Sequence, residues 1–177
     1  MERFSSFLIL GPNGLAFGKY PTDEELDIIL KEGYHTVVNL CTDDEIDPKL
    51  AYDHIKVPLY FEYPILDRTP PKSDGSFGCL VEELVSIYNT NSTPGASLPG
   101  GIYVHCRGGH GRSAVVAGVL YYEIMRLHSR KVALTSDALL KRIYEAHQKR
   151  LEMKPRWRSM GAPQTKAQKK FILDWCA

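Results

Sequence analysis

The chain has 177 residues, of which 44% are hydrophobic and 24% are charged, and its formal net charge is +1. This composition is typical of a one-domain globular protein, and the near-neutral charge argues against a dedicated nucleic-acid or membrane-surface binder. No apolar run approaches the ~20 residues of a membrane span, and the first one is too short for a secretory signal. Four cysteines without zinc-binding spacing predict a reducing, cytoplasmic setting, with the nucleus not excluded, and no metal.

Apolar runs in the first part of the sequence predict strands. Residues 7–10 and 15–17 flank a GPNG turn signal and predict a hairpin. The runs HTVVNL (35–40) and HIKVPL (54–59) are rich in apolar and β-branched residues, as are the buried strands of parallel sheets.

The spacing of apolar residues predicts five helices, which in chain order cover 23–32, 77–88, 112–127, 137–150 and 165 to the last residues. Thr22 with Glu25, and Thr165 with Gln168, have the spacing of capping boxes at helix starts. Ser136 is the predicted cap of the fourth helix.

The order of these elements predicts an α/β fold. A short buried strand is expected at 102–105, which gives a central, mostly parallel and twisted sheet of about 4–5 strands flanked by helices. The Pro-, Gly- and Ser-rich segment 89–101 is interpreted as a surface loop insertion, because neither half of the chain completes a layered domain alone. A single domain is therefore predicted for residues 1–177.

Residues 103–113 read YVHCRGGHGRS, which is a strand end, a glycine-rich loop and a helix start. The loop amides and the first turn of the helix would form an anion site. Gly108, Gly109 and Gly111 would let the backbone approach a phosphate closely. The GxxxxGK[ST] pattern of nucleotide-binding loops is missing.

Two side chains make this loop a reactive site. Cys106 stands where the strand ends, and the amides, the helix start and Arg112 all favour its thiolate form at neutral pH. Arg112 is the planar donor that suits two phosphate oxygens. Together they predict nucleophilic attack on phosphorus, with the equatorial oxygens held by Arg112.

HCRGGHGRS resembles the HCxxGxxR[ST] signature, with its C-x5-R core, of the cysteine-dependent protein tyrosine phosphatase superfamily. The resemblance implies a three-layer dual-specificity phosphatase fold without a cofactor. It implies that Cys106 forms a phosphocysteine, that Arg112 clamps the phosphoryl group, and that Ser113 donates a hydrogen bond to the thiolate leaving group. His105 would orient the loop. Ala114 departs from the glycine usual there.

A general acid has to protonate the leaving oxygen. The dual-specificity branch often has P-x-x-D-x-x-P-P before the signature, and Pro64, Asp67, Pro70 and Pro71 match it. Asp67 is therefore the predicted acid. Asp74 is the alternative, although it also suits the start of the next helix. Turn and cap roles are expected for Asp43, Asp44 and Asp47.

Further residues have a functional and a structural interpretation. Cys41 matches a cysteine that pairs with the catalytic one in the phosphoinositide phosphatase branch, but it could equally be a packing residue. Gln164 resembles the water-positioning glutamine of tyrosine-specific members, or simply precedes the last helix. Arg107 and His110 would add positive charge facing the site. The basic residues of the last thirty positions indicate a solvated face or a phosphate-attracting surface.

The resemblance implies a dual-specificity protein phosphatase, which acts on phosphotyrosine and on phosphoserine or phosphothreonine. One alternative is a phosphatase of phosphoinositides, inositol phosphates or RNA 5′-triphosphates, and another is a non-catalytic phosphate-binding module. The expected partner is a phosphorylated protein, lipid or RNA substrate. A monomer is expected, with no stable nucleic-acid complex.

Overall fold

The computed structural model describes residues 1–128 and 134–177. Its sheet has five strands, which are β1 (Ser5–Ile9), β2 (Leu15–Lys19), β3 (Thr36–Asn39), β4 (Leu59–Glu62) and β5 (Ile102–Cys106). The strand order is β1-β2-β5-β3-β4, and only the β1–β2 hairpin pairs antiparallel. The predicted α/β class with a mostly parallel central sheet is confirmed.

The described residues contain helices α1 (Asp23–Lys31), α2 (Ser76–Asn91), α3 (Arg112–His128), α4 (Ser136–Gln148), α5 (Pro155–Met160) and α6 (Lys166–Trp175). Both predicted capping boxes are present. The Thr22 hydroxyl accepts the Glu25 N–H at 3.2 Å, and the Thr165 hydroxyl accepts the Gln168 N–H at 3.2 Å. Each box satisfies backbone groups that a helix start leaves unpaired.

The helices cover both faces of the sheet. Along β5, Ile102, Val104 and Cys106 point into a core shared with α2, α3, α4 and α6, whereas Tyr103 points into a second core shared with α1. This alternation is the two-residue period of a strand with two buried faces. No helix among residues 1–128 and 134–177 is long and apolar enough to cross a membrane.

The structure corrects several predicted boundaries. The strand predicted at 54–59 begins only at Leu59, because the Asp53 carboxylate accepts the Ile55 N–H at 3.1 Å and starts a 3-10 turn over His54–Lys56. The cap of α4 is Thr135 rather than Ser136. Helix α2 continues through residues 89–91, so the irregular segment covers only 92–101. Its interpretation as an insertion within one domain stays a prediction.

The sheet brings the expected site residues to one edge. Cys106 ends β5 and pairs with Lys19 at the end of β2, and His105 pairs with Asn39 at the end of β3. The segments that follow β3 and β4 therefore leave the sheet beside Cys106, as parallel strands require. One carries Cys41 and Glu45, and the other carries Asp67.

Candidate active site

The loop between β5 and α3 surrounds a single sulfur atom. Cys106 is buried, and its Sγ accepts the Gly109 N–H at 3.3 Å. The Ser113 hydroxyl lies 3.5 Å from the same sulfur. Both groups can donate to a thiolate, which suits a nucleophile that later becomes a leaving group.

Two glycines of this loop lie in close contact with neighbouring segments, and at Gly109 the neighbour is backbone that excludes a side chain. Gly109 has a φ of +73°, and a Cβ there would collide with the backbone of Gly18 and Lys19. A Cβ on Gly111 would lie 2.8 Å from the side-chain amide of Gln168 and 3.2 Å from that of Gln164. The glycine pattern therefore reflects close packing of the loop against β2 and against the start of α6.

A buried arginine, Arg150, forms hydrogen bonds with the backbone of the loop. Arg150 is 4% exposed, and it donates to the carbonyls of Gly108 at 3.2 Å and Gly109 at 3.4 Å. The Gly108 carbonyl belongs to the same peptide unit as the Gly109 N–H that points at Cys106. Because the two groups of a trans peptide point in opposite directions, Arg150 on one side directs the N–H to the sulfur on the other. Burial lowers the pKa of Arg150.

Arg112 is buried and already has a carboxylate partner. Its two terminal nitrogens each donate to Glu45, one oxygen apiece, at 2.6 Å. One of them also donates to the Ile65 carbonyl at 2.8 Å, and the other lies 3.1 Å from Asp67. Burial alone would raise the pKa of Glu45, but the Arg112 hydrogen bonds outweigh it and the pKa is lowered. The two hydrogen bonds to Glu45 fix the plane of the Arg112 guanidinium at the cavity.

Glu45 is a functional residue that the sequence interpretation missed. Its carboxylate also accepts the Thr42 N–H at 2.9 Å, so Thr42 and Glu45 form a third capping box. The T-x-x-E pattern could have indicated that turn from the sequence. Nothing local indicated the pairing with Arg112, which joins positions 67 residues apart.

The two candidate acids have different environments. Asp67 is 64% exposed, lies beside Arg112 and lines the same cavity as Cys106. Asp74 does not line that cavity. Its carboxylate accepts the Ser76 hydroxyl at 2.6 Å and the Ser76 N–H at 3.1 Å, and these bonds lower its pKa. The geometry thus favours Asp67 as the general acid. Asp74 instead pairs with Ser76, the first residue of α2.

The two histidines of the signature are buried and neutral. His105 contacts the Tyr52 hydroxyl at 2.6 Å, and burial lowers its pKa to about 3. His110 contacts His147 at 2.9 Å and stacks on Trp157, and burial together with Arg150 lowers its pKa to about 3. The lowered pKa opposes a positive charge on His110, because the desolvated ring favours its neutral form. Arg107 is exposed and lines the cavity.

Cys41 and Gln164 both lie near the loop. Cys41 is buried after β3, and burial raises its thiol pKa to about 12, which disfavours the thiolate that disulfide formation uses. Its redox pairing with Cys106 stays a prediction. Gln164 lines the cavity, while its backbone N–H is held by the Gln168 side chain at 3.1 Å. Its water-positioning role also stays a prediction.

The cavity has a volume of about 730 Å³. Most of the loop from Cys106 to Arg112 lines it, together with Asp67, Arg68 and Gln164. The remaining wall comes from α5, a helix that the sequence interpretation did not include, and from the residue before it, through Lys154, Arg156, Trp157 and Met160.

A five-stranded, mostly parallel sheet with a C-x5-R loop at its carboxyl edge is the arrangement that the resemblance to the cysteine-dependent protein tyrosine phosphatase superfamily implies. Two curated relatives of invertebrate iridescent viruses support this assignment. "Putative tyrosine phosphatase 197R" of virus 6 is 31% identical over 106 residues, and "Putative tyrosine phosphatase 067L" of virus 3 is 28% identical over 156 residues. These alignments cover 59% and 88% of the chain, which spans 37% and 59% of the relatives' lengths.

A solved structure supports the fold. Kinase associated phosphatase, with its catalytic-site cysteine replaced by serine, matches with a TM-score of 0.67 at 17% identity. The match covers 97% of this chain and 92% of that one. No family model matches the chain. The resemblance to the superfamily is confirmed.

Proposed function

We propose that this chain hydrolyses phosphomonoesters through a phosphocysteine intermediate. The observation that carries the proposal is the position of Cys106 Sγ, which accepts the Gly109 N–H and shares one cavity with Arg112 and Asp67. A nucleophile, a bidentate phosphate donor and a carboxyl group at one cavity are the parts that this reaction needs.

In the first step, the Cys106 thiolate attacks phosphorus, the S–P bond forms and the bond to the leaving oxygen breaks. Asp67 gives that oxygen its proton. Arg112 exchanges its contact with Asp67 for two phosphate oxygens, while Glu45 keeps the guanidinium plane in place.

In the second step, water attacks the phosphorus of the phosphocysteine. Asp67, now a carboxylate, takes a proton from that water, and the S–P bond breaks. The Ser113 hydroxyl donates to the sulfur as its negative charge returns. Inorganic phosphate leaves, and both Cys106 and Asp67 are back in their starting protonation states.

For the substrate, the resemblance of the signature and of the segment around Asp67 to the dual-specificity branch favours a protein phosphatase acting on phosphotyrosine and on phosphoserine or phosphothreonine. A second candidate, a phosphatase of non-protein phosphate esters, is favoured by the cations around the cavity. We place the reaction in a reducing intracellular compartment, because it requires a free thiol.

Cys106→Ser tests the chemistry. We expect it to abolish turnover of p-nitrophenyl phosphate while vanadate binding, measured by calorimetry, is retained, because the loop amides and Arg112 remain. Cys79→Ser is the matched control, since Cys79 is an exposed cysteine outside the cavity. Turnover by the Cys106→Ser protein near the wild-type rate would rule out the phosphocysteine route.

A further inference from the structure

Four cations surround the cavity without acidic partners. Arg68, Arg107, Lys154 and Arg156 are exposed, and all line the cavity that contains Cys106. Across residues 1–128 and 134–177, none of the four forms an ion pair with a carboxylate. Among the described residues that line the cavity, Asp67 is the one with an acidic side chain, and it is already paired with Arg112. Uncompensated positive charge of this kind attracts an anion.

Two of these cations, Lys154 and Arg156, lie at the start of α5, and a contact within the helix restrains Arg156. The Arg156 guanidinium lies 4.1 Å from the ring centre of Trp157, a cation–π contact that restrains the side chain. Trp157 in turn stacks on His110, with ring centres 5.0 Å apart and planes 19° from parallel. Arg158 of the same helix donates to the Arg150 carbonyl at 2.9 Å. Helix α5 is thereby attached to the signature loop.

Arg68 approaches the cavity from the opposite segment of the chain. Its φ is +64°, a left-handed conformation that is unfavourable for a residue other than glycine. The strained backbone is held by the Thr165 hydroxyl, which donates to the Arg68 carbonyl at 3.3 Å, and by Gln168, which donates to the Thr69 carbonyl at 3.2 Å. Such strain is concentrated at functional sites, and here it presents Arg68 directly after Asp67.

The phosphate that reacts has no need of these four side chains, since the loop amides and Arg112 already surround Cys106. The cavity, at about 730 Å³, is also within the range of about 300–1,000 Å³ that holds a whole small molecule. We propose that the four cations bind a second phosphate group of the substrate. The substrate is then a compact polyphosphorylated ester such as an inositol polyphosphate, either free or as the headgroup of a lipid. This inference rests on the phosphatase chemistry proposed above.

Binding to the Cys106→Ser protein tests the second-phosphate site without turnover. Calorimetry at about 0.15 M salt compares inositol hexakisphosphate with inorganic phosphate. Lys154→Gln with Arg156→Gln should weaken binding of the hexakisphosphate by roughly ten- to a hundredfold, and binding of inorganic phosphate by less than about threefold. Equal weakening of both ligands, or of neither, would overturn the proposal.

Two further variants keep this test decisive. Lys166→Gln with Lys169→Gln removes two exposed charges outside the cavity lining, and should leave both affinities within about twofold. If this control weakens the hexakisphosphate as much, the effect is general electrostatics and the proposal fails. Arg68→Asn removes a cation from a different segment while asparagine tolerates the left-handed backbone. It should weaken hexakisphosphate binding selectively, even if the α5 variant does not fold.

A substrate panel then identifies the source of the second phosphate. The panel contains a soluble inositol polyphosphate, vesicles with a polyphosphorylated phosphoinositide, a singly phosphorylated tyrosine peptide and a 5′-triphosphorylated RNA. If the second-phosphate site exists, kcat/KM for one of the inositol substrates should exceed kcat/KM for the peptide by about tenfold or more. The soluble and vesicle arms separate the free molecule from the headgroup. A higher kcat/KM for the peptide or for the RNA would overturn the proposal of a second-phosphate site.

The two proposals fail in different ways. A protein that binds the hexakisphosphate through α5 but does not hydrolyse p-nitrophenyl phosphate would contradict the proposed function alone. A protein that hydrolyses p-nitrophenyl phosphate through Cys106, yet binds the hexakisphosphate no more tightly than inorganic phosphate, would contradict the second-phosphate site alone.

Discussion

Arg112 shows how one residue is prepared for its ligand. A buried guanidinium is costly unless it is paired, and here Glu45 provides a bidentate carboxylate. Asp67 contacts the same group from the exposed side. In the proposed reaction, only the contact with Asp67 breaks when the phosphate binds. Glu45 is thus a positioning residue, and Asp67 is a catalytic one in the proposed reaction.

Glu45→Gln should separate positioning from chemistry. An amide has one acceptor oxygen where the carboxylate has two, so its NH2 group would face one Arg112 N–H; we therefore expect kcat/KM for p-nitrophenyl phosphate to fall roughly ten- to a hundredfold and the free energy of unfolding to drop by about 1–3 kcal/mol. Urea unfolding and steady-state kinetics measure the two effects. Asp44→Asn, at an exposed neighbour in the same turn, is the control. Equal behaviour of the two variants would exclude the positioning role.

Asp67→Asn should identify the general acid. We expect kcat for p-nitrophenyl phosphate to fall by roughly 10²–10⁴, and the basic limb of the pH–rate profile to disappear, because Asp67 is the one carboxyl group among the described residues that line the cavity. Asp74→Asn should keep a profile with both limbs, since that carboxylate is occupied by Ser76. A normal profile for Asp67→Asn, with a lost limb for Asp74→Asn, would transfer the role to Asp74.

At the scale of elements, local signals predicted well and distant contacts did not. The capping boxes and the strand–loop–helix order at Cys106 depend on neighbouring residues, and the structure has them where the sequence predicts. The strand expected at 54–59 was misplaced because its apolar pattern competes with the Asp53 cap. Helix α5 was missed because it has only six residues and is stabilised by contacts with α4 and the signature loop.

The same limit applies to the site. Cys106, Arg112 and Asp67 belong to sequence patterns with a known chemical purpose, so they could be predicted from the sequence alone. Glu45 and Arg150 could not, because their partners lie 67 and 42 residues away along the chain. A glutamate in a turn and an arginine in a basic segment have no local signal that distinguishes them from solvated charges. Tertiary packing alone makes them part of the loop's support.

At the scale of the whole molecule, the interior behind the signature loop contains uncharged histidines. The pKa is lowered by burial from 6.5 to about 3 for His105, to about 3 for His110 and to about 4 for His147. Arg150 further opposes charging of His110 and His147. These rings take up protons near pH 6.5 only after unfolding, so the unfolded state binds more protons than the folded state below that pH.

The contribution of these neutral histidines to the free energy of unfolding should therefore be fully present above about pH 6.5 and be lost as the pH drops toward 4. Between pH 7 and pH 5 we expect each buried histidine to remove about 2 kcal/mol from the free energy of unfolding, measured by urea titration at both pH values. His147→Gln should reduce this acid-dependent loss by about that amount, because glutamine does not titrate. His54→Asn, at an exposed histidine, should not change it. An acid-dependent loss that His147→Gln leaves unchanged would mean that other groups set the acid limit of this fold.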